Sequence, residues 1–124
     1  MKQSIQGTKK LKPVEIRVSS DPLGEVAQEA LSPNLKSGVV LYFTSFELLH
    51  KVLTPERLNL LRFLALHGRV SVNELSKALN RKREAVSRDL RELSLRSLVR
   101  LESKGRFVYP RCEFKELKIN LLPA

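Results

Sequence analysis

Little in this 124-residue sequence could hold a fold together covalently. Cys112 is its one cysteine, so no internal disulfide can form. That suits a reducing compartment. Tryptophan is absent, and the aromatics are two Tyr and five Phe. No apolar run approaches the roughly 20 residues that cross a bilayer. The polar, lysine-bearing N-terminus is unlike a signal peptide. A cytoplasmic chain without a membrane span is the expectation. Cys112, His50 and His67 match no metal-ligand spacing, and a structural site usually takes four ligands. No convergent His/Cys/Asp set and no phosphate-cradling glycine loop is visible. The sequence therefore predicts no metal, no cofactor and no enzyme.

Acidic residues are also scarce. Thirteen Asp and Glu face 23 Lys and Arg, a net charge of +10. Residues 45–98 carry 11 basic against 6 acidic side chains, and residues 99–124 carry 6 against 3. Such a field favours a polyanionic partner. A membrane surface would attract it too, but no amphipathic helix has an aromatic face to insert.

The basic excess centres on Ser71–Leu93, SVNELSKALNRKREAVSRDLREL. Ser71 and Glu74 have capping-box spacing, and Val70 and Leu75 that of a hydrophobic staple. Leu75, Ala78 and Leu79 fall on one helical face. Asn80 tolerates the left-handed conformation that stops a helix. A second helix is predicted from near Lys82 to Leu93 or beyond, buried along Ala85, Val86, Leu90 and Leu93. Its other face holds Lys82, Arg83, Glu84, Ser87, Arg88 and Arg91. Two helices joined by a tight turn, the second long-armed and basic, make a helix-turn-helix suited to a DNA major groove. The competing reading is a solvated face with Glu84–Arg88 and Arg88–Glu92 pairs.

Around this core, residues 1–12 read as a flexible basic arm. Val14–Val18 alternates apolar and charged residues like a half-buried strand. Asp21-Pro22 starts a helix carrying Leu23, Val26, Ala27, Ala30 and Leu31 on one face, ended by Ser32-Pro33. Val39–Phe43 is a short apolar run. Thr44 and Glu47 have capping-box spacing for a helix with Phe46, Leu49, Val52 and Leu53 inward. Thr54-Pro55-Glu56 starts a third helix with Leu58, Leu61, Leu64 and Ala65 as its stripe and Gly68 as its stop. Leu60 and Leu66 lie off that stripe, so the helix is predicted to be sandwiched. Arg69-Val70 reads as a very short strand.

Beyond Leu93, Leu98–Leu101 and Arg106–Tyr109 read as strands flanking Glu102-Ser-Lys-Gly105, with Gly105 free to take the positive φ of a hairpin. Behind a helix-turn-helix, such a hairpin is a wing. Lys104 and Arg106 then sit near its tip, where basic residues touch phosphate or the minor groove. A plain hairpin with solvated charges is the alternative. Leu117, Ile119 and Leu121 alternate with Lys118 and Asn120 as one more strand, whose natural neighbour is Val14–Val18 of the same chain or of a second copy.

The order LTPERLNLLRFL, Gly, SVNELSKALNRKREAVSRDLREL, SLVRLESKGRFVYP resembles winged-helix transcriptional regulators of the MarR-like kind. More narrowly it is similar to small bacterial and archaeal DNA-binding regulators, from Val14 on. The resemblance implies duplex DNA binding as a homodimer, without catalysis. By position, Arg83, Glu84, Ser87 and Arg88 would face bases. Arg81, Lys82 and Arg91 would lie near the backbone, with Lys104 and Arg106 in the wing. Asp89 of the RDL pattern would pair internally with Arg57 or Arg96. Two departures stand out: Arg96-Ser97 replaces a Leu-Gly helix stop, and Lys82 replaces a Ser, Thr or Asp cap.

The expected architecture is α+β: a winged helix-turn-helix over 44–112, an N-terminal strand-helix extension over 13–43 assigned to dimerisation, and a C-terminal strand over 113–124. The expected function is a sequence-specific regulator on double-stranded DNA. The helix at about 82–95 would lie in the major groove and the wing at about 98–109 on the backbone or minor groove. A nonspecific chromatin-type binder, or a protein-interaction module of a transcription or antitoxin complex, would have the same charge. Whether a small-molecule effector exists is unknown from the sequence.

Overall fold

The computed structural model describes residues 13–24 and 39–121. The arm over 1–12, most of the Leu23–Leu31 helix and the loop before Val39 lie outside them. The chain divides into two compact units, Met1–Phe46 with Phe114–Ala124, and Glu47–Glu113.

In the first unit, β1 (Val14–Val18), β2 (Val39–Phe43) and β5 (Leu117–Asn120) form a parallel sheet in the order β2-β1-β5. Val14 aligns with both Val39 and Leu117, and Ile16 with Leu41 and Ile119. The terminal strand thus lies beside Val14–Val18 within one chain. Central strands of parallel sheets are enclosed on both faces. Arg17 accordingly is 4% exposed, not the solvated residue that alternation suggests. Its Nε donates to Glu15 Oε2 at 2.9 Å and its Nη1 to the Tyr42 hydroxyl at 3.4 Å. Asn120 Nδ2 donates to the same Glu15 oxygen at 2.9 Å. A buried charge needs this pairing. Asp21 accepts from the Gly24 N–H at 3.3 Å, as a helix-opening residue should.

The second unit is helical first. Helix α1 (Phe46–Val52) buries Leu49 and Val52, with Leu53 just beyond. It begins at Phe46, so Ser45 rather than Thr44 holds the cap position. Phe46, expected inward, is exposed. Helix α2 (Pro55–His67) is capped by Thr54, whose hydroxyl accepts from Arg57 N at 3.2 Å, and stopped by Gly68 at φ 73°. Its buried face is Leu60, Leu61 and Leu64. Leu58 and Leu66 are 42% and 69% exposed, and Ala65 is exposed too. The helix is turned from the expected stripe, and its second apolar side is uncovered among the described residues.

Helix α3 (Val72–Leu79) opens with the Ser71–Glu74 capping box, closed at 3.2 and 2.8 Å. Asn80 ends it at φ 56°, where Asn80 N donates to Lys77 O and Arg81 N to Ser76 O. Ser76 is buried, while Ala78, expected on the same face as Leu75, is exposed. Ser76 tolerates burial because its hydroxyl donates to Asn73 O at 2.9 Å. Helix α4 (Arg83–Leu95) buries Val86, Asp89, Leu90 and Leu93.

The end of α4 explains a shift in the wing. Ser97 sits at φ 63°, with Ser97 N donating to Ser94 O and Leu98 N to Leu93 O at 2.9 Å. This is a Schellman stop with Ser in the usual glycine place. It pulls Leu98 back onto the helix and, with Val99, into the core. The strands are therefore β3 (Arg100–Lys104) and β4 (Phe107–Arg111), beginning two residues and one residue later than expected. Lys104 pairs with Phe107 across a two-residue turn, Gly105-Arg106. Gly105 takes φ 62°, as a first central residue of the II′ kind does. Pro110 fits because both strands of a two-stranded sheet are edges. Arg69-Val70 forms no strand. Two helices, a helix-turn-helix and a hairpin make this unit a winged helix-turn-helix. The chain as a whole is α+β.

Candidate nucleic-acid interface

The inward residues of α4 define its outer side. With 3.6 residues per turn, Glu84, Arg88 and Arg91 lie opposite Val86, Asp89, Leu90 and Leu93. All three are exposed. Among the described residues, Arg88 makes no ion pair with Glu84 or Glu92. The solvated-face alternative is not realised in that form.

Arg83 and Ser87 occupy one flank of α4. They and Arg91 line a groove of about 470 Å³ shared with Arg106 of the wing turn and with Ser71 and Asn73 at the start of α3. Leu90, Leu101 and Val108 supply apolar lining. Three arginines line it and no acid does. Glu74, next to Asn73, is turned back onto Ser71 N. Such a concentration of one sign attracts phosphate.

The structure thus divides the sequence-predicted set. Arg83, Ser87, Arg91 and Arg106 come together around the groove. Glu84 and Arg88 face outward on α4, and Lys82 and Lys104 are exposed but do not line the groove. Lys82 is the N-cap residue of α4 and makes no side-chain cap bond. Helix α4 begins at Arg83, directly after this uncapped position.

Arg81 differs most from expectation. Its Nη2 lies 2.9 Å from Asp89 Oδ2, while Arg57 Nε lies 3.0 Å from Asp89 Oδ1. Arg57 is thus one partner of Asp89, as foreseen, but the other is Arg81 rather than Arg96. Residues that sequence reasoning missed are Ser71 and Asn73, singled out there only as part of a helix start, and Arg69. The Arg69 guanidinium stacks on Tyr109 of β4. Among the described residues, no group of three His, Cys, Asp or Glu could hold a metal ion, and no helix is long and apolar enough to cross a membrane.

The model of the HVO_A0114 family matches residues 52–119, from the end of α1 through β5. The chain belongs to the HVO_A0114 family. Among solved structures it is similar to the homodimeric winged helix-turn-helix DNA-binding domain of Mb0332 from Mycobacterium bovis, a possible ArsR-family transcriptional regulator. That match has 22% identity and TM-score 0.49 over 76% of this chain and 68% of that one. Reduced HlyU from Vibrio cholerae matches at 22% identity and TM-score 0.49, over 75% of this chain and 81% of that one. The AntR antimony-specific transcriptional repressor matches at 33% identity and TM-score 0.48, over 66% of this chain and 78% of that one. These names are of the ArsR and HlyU kind, so the MarR-like likeness is not met among them. No curated protein matches the chain.

Proposed function

We propose that this HVO_A0114-family chain is a sequence-specific transcriptional regulator that binds duplex DNA as a homodimer. Helix α4 enters the major groove, and the β3–β4 wing follows the backbone or minor groove. The observation carrying this reading is the acid-free groove in which Arg83 and Arg91 of α4 meet Arg106 of the wing. Two separate elements present cations to one channel, as a phosphodiester strand requires. Outward Glu84 and Arg88, with Arg83 and Ser87 beside them, are the base readers in this scheme, while Arg91 lies near the backbone. Lys82, Lys104 and Arg106 supply salt-sensitive affinity. A bidentate arginine on guanine is worth roughly 1–3 kcal/mol against the wrong base. Dimerisation through the segments outside 44–112 would set two such helices on two half-sites.

In vitro selection from a random duplex pool tests this reading. A specific regulator yields one motif, bound about a thousandfold or more above random DNA, with a half-site repeat. A ratio near unity would instead identify a nonspecific binder. No duplex binding together with a stable complex with an acidic protein would identify an interaction module.

A further inference from the structure

We infer that Arg81 is a positioning residue for the recognition helix, acting through Asp89, and not itself a contact to DNA. The inference rests on the DNA-binding reading and adds a component to it. Asp89 lies on the flank of α4 away from the wing and is buried. Each of its carboxylate oxygens meets a different guanidinium, Arg57 Nε at 3.0 Å and Arg81 Nη2 at 2.9 Å. Both residues are also anchored elsewhere. Arg57 Nη1 donates to Val52 O at 2.9 Å, at the end of α1. The backbone N–H of Arg81 donates to Ser76 O, in the stop that ends α3.

One carboxylate held at both oxygens fixes how α4 is rolled about its own axis. Glu84, Arg88 and Arg91 project from the far side of the same helix, so the clamp sets the direction in which they point. Arg81 is not available for a second task while the clamp is closed. Its Nη1 is buried with no acceptor among the described residues, and its Nη2 is held by Asp89, so neither terminal nitrogen is presented to a phosphate as placed. Neighbouring Lys82 and Arg83 are exposed and carry no such tie. The Arg81-Lys82-Arg83 run therefore separates into one brace and two exposed cations.

The two roles predict different losses. A positioning residue carries sequence discrimination without changing the number of phosphates neutralised. A phosphate contact does the reverse, contributing nearly one unit to the slope of log K against log salt. The experiment measures binding of the full chain to a duplex recovered by in vitro selection and to a random duplex, over a series of KCl concentrations. Arg81→Gln is expected to lower the selected-over-random ratio about tenfold and to keep the wild-type salt slope. Arg81→Lys, which retains one donor for Asp89, is expected to recover part of the ratio. In an Asp89→Asn background, Arg81→Gln is expected to have no further effect. A slope shallower by nearly one unit with the ratio kept would overturn the inference. So would a full Arg81→Gln effect persisting without Asp89. If near-ultraviolet circular dichroism shows Arg81→Gln unfolded, Arg81→Lys decides alone. Reduced selectivity at unchanged slope supports the brace, and wild-type selectivity refutes it. A wild-type chain that binds no duplex overturns the DNA-binding reading first, before any variant is compared.

Discussion

The guanidinium carbon of Arg69 lies 4.4 Å from the centre of the Tyr109 ring. This contact joins the segment entering α3 to strand β4, and Tyr109 in turn meets Phe107 at 6.5 Å between ring centres. A cation over an aromatic face at a partly exposed site contributes about 0.5–1 kcal/mol. Arg69→Ala is therefore expected to lower the melting temperature by a few degrees, read by circular dichroism. Arg69→Lys should lose less. An unchanged melting temperature for Arg69→Ala would show that the wing is held without this stack.

The rotation of α2 makes a second prediction. Leu60 is fully buried and Leu58 is 42% exposed, the reverse of what the expected stripe implies. Leu60→Ala should cost about 2–5 kcal/mol in urea denaturation, and Leu58→Ala no more than about 0.5 kcal/mol. Equal costs would mean that the exposed side of α2 is covered in the functional assembly.

Ser97 offers a stabilising change. At φ 63° a Cβ is strained by about 1–2 kcal/mol relative to the right-handed region. Glycine avoids that strain but has more freedom to lose on folding. Ser97→Gly should gain about 0.5–1 kcal/mol, seen as a higher urea midpoint at unchanged m-value. A lower midpoint would indicate that the serine side chain contributes more than its conformation costs.

Local chemistry was the legible part of this sequence. Ser71 with Glu74, Thr54 before Pro55, Asn80 and Gly105 each announce an end or a turn by what they bond or which φ they tolerate, and each is found there. The side on which α2 packs was not legible, because leucine stands at Leu58, Leu60, Leu61, Leu64 and Leu66, and such a pattern selects no single face. Wing register was misread because Leu98-Val99 looks like strand but is taken up by the helix stop. The Arg81–Asp89 pair was missed for a different reason. It depends on the angle between two helices, which no local spacing encodes. Convergence of Arg83, Arg91 and Arg106 on one groove likewise needed the hairpin in place.

The groove between α4 and the wing is the centre of this account, and the salt dependence of duplex binding tests it most directly. Log K for the wild-type chain should fall linearly with log salt, and the double variant Arg91→Gln/Arg106→Gln should bind more weakly with a slope shallower by about two units. Wild-type affinity and slope in that variant would contradict the account.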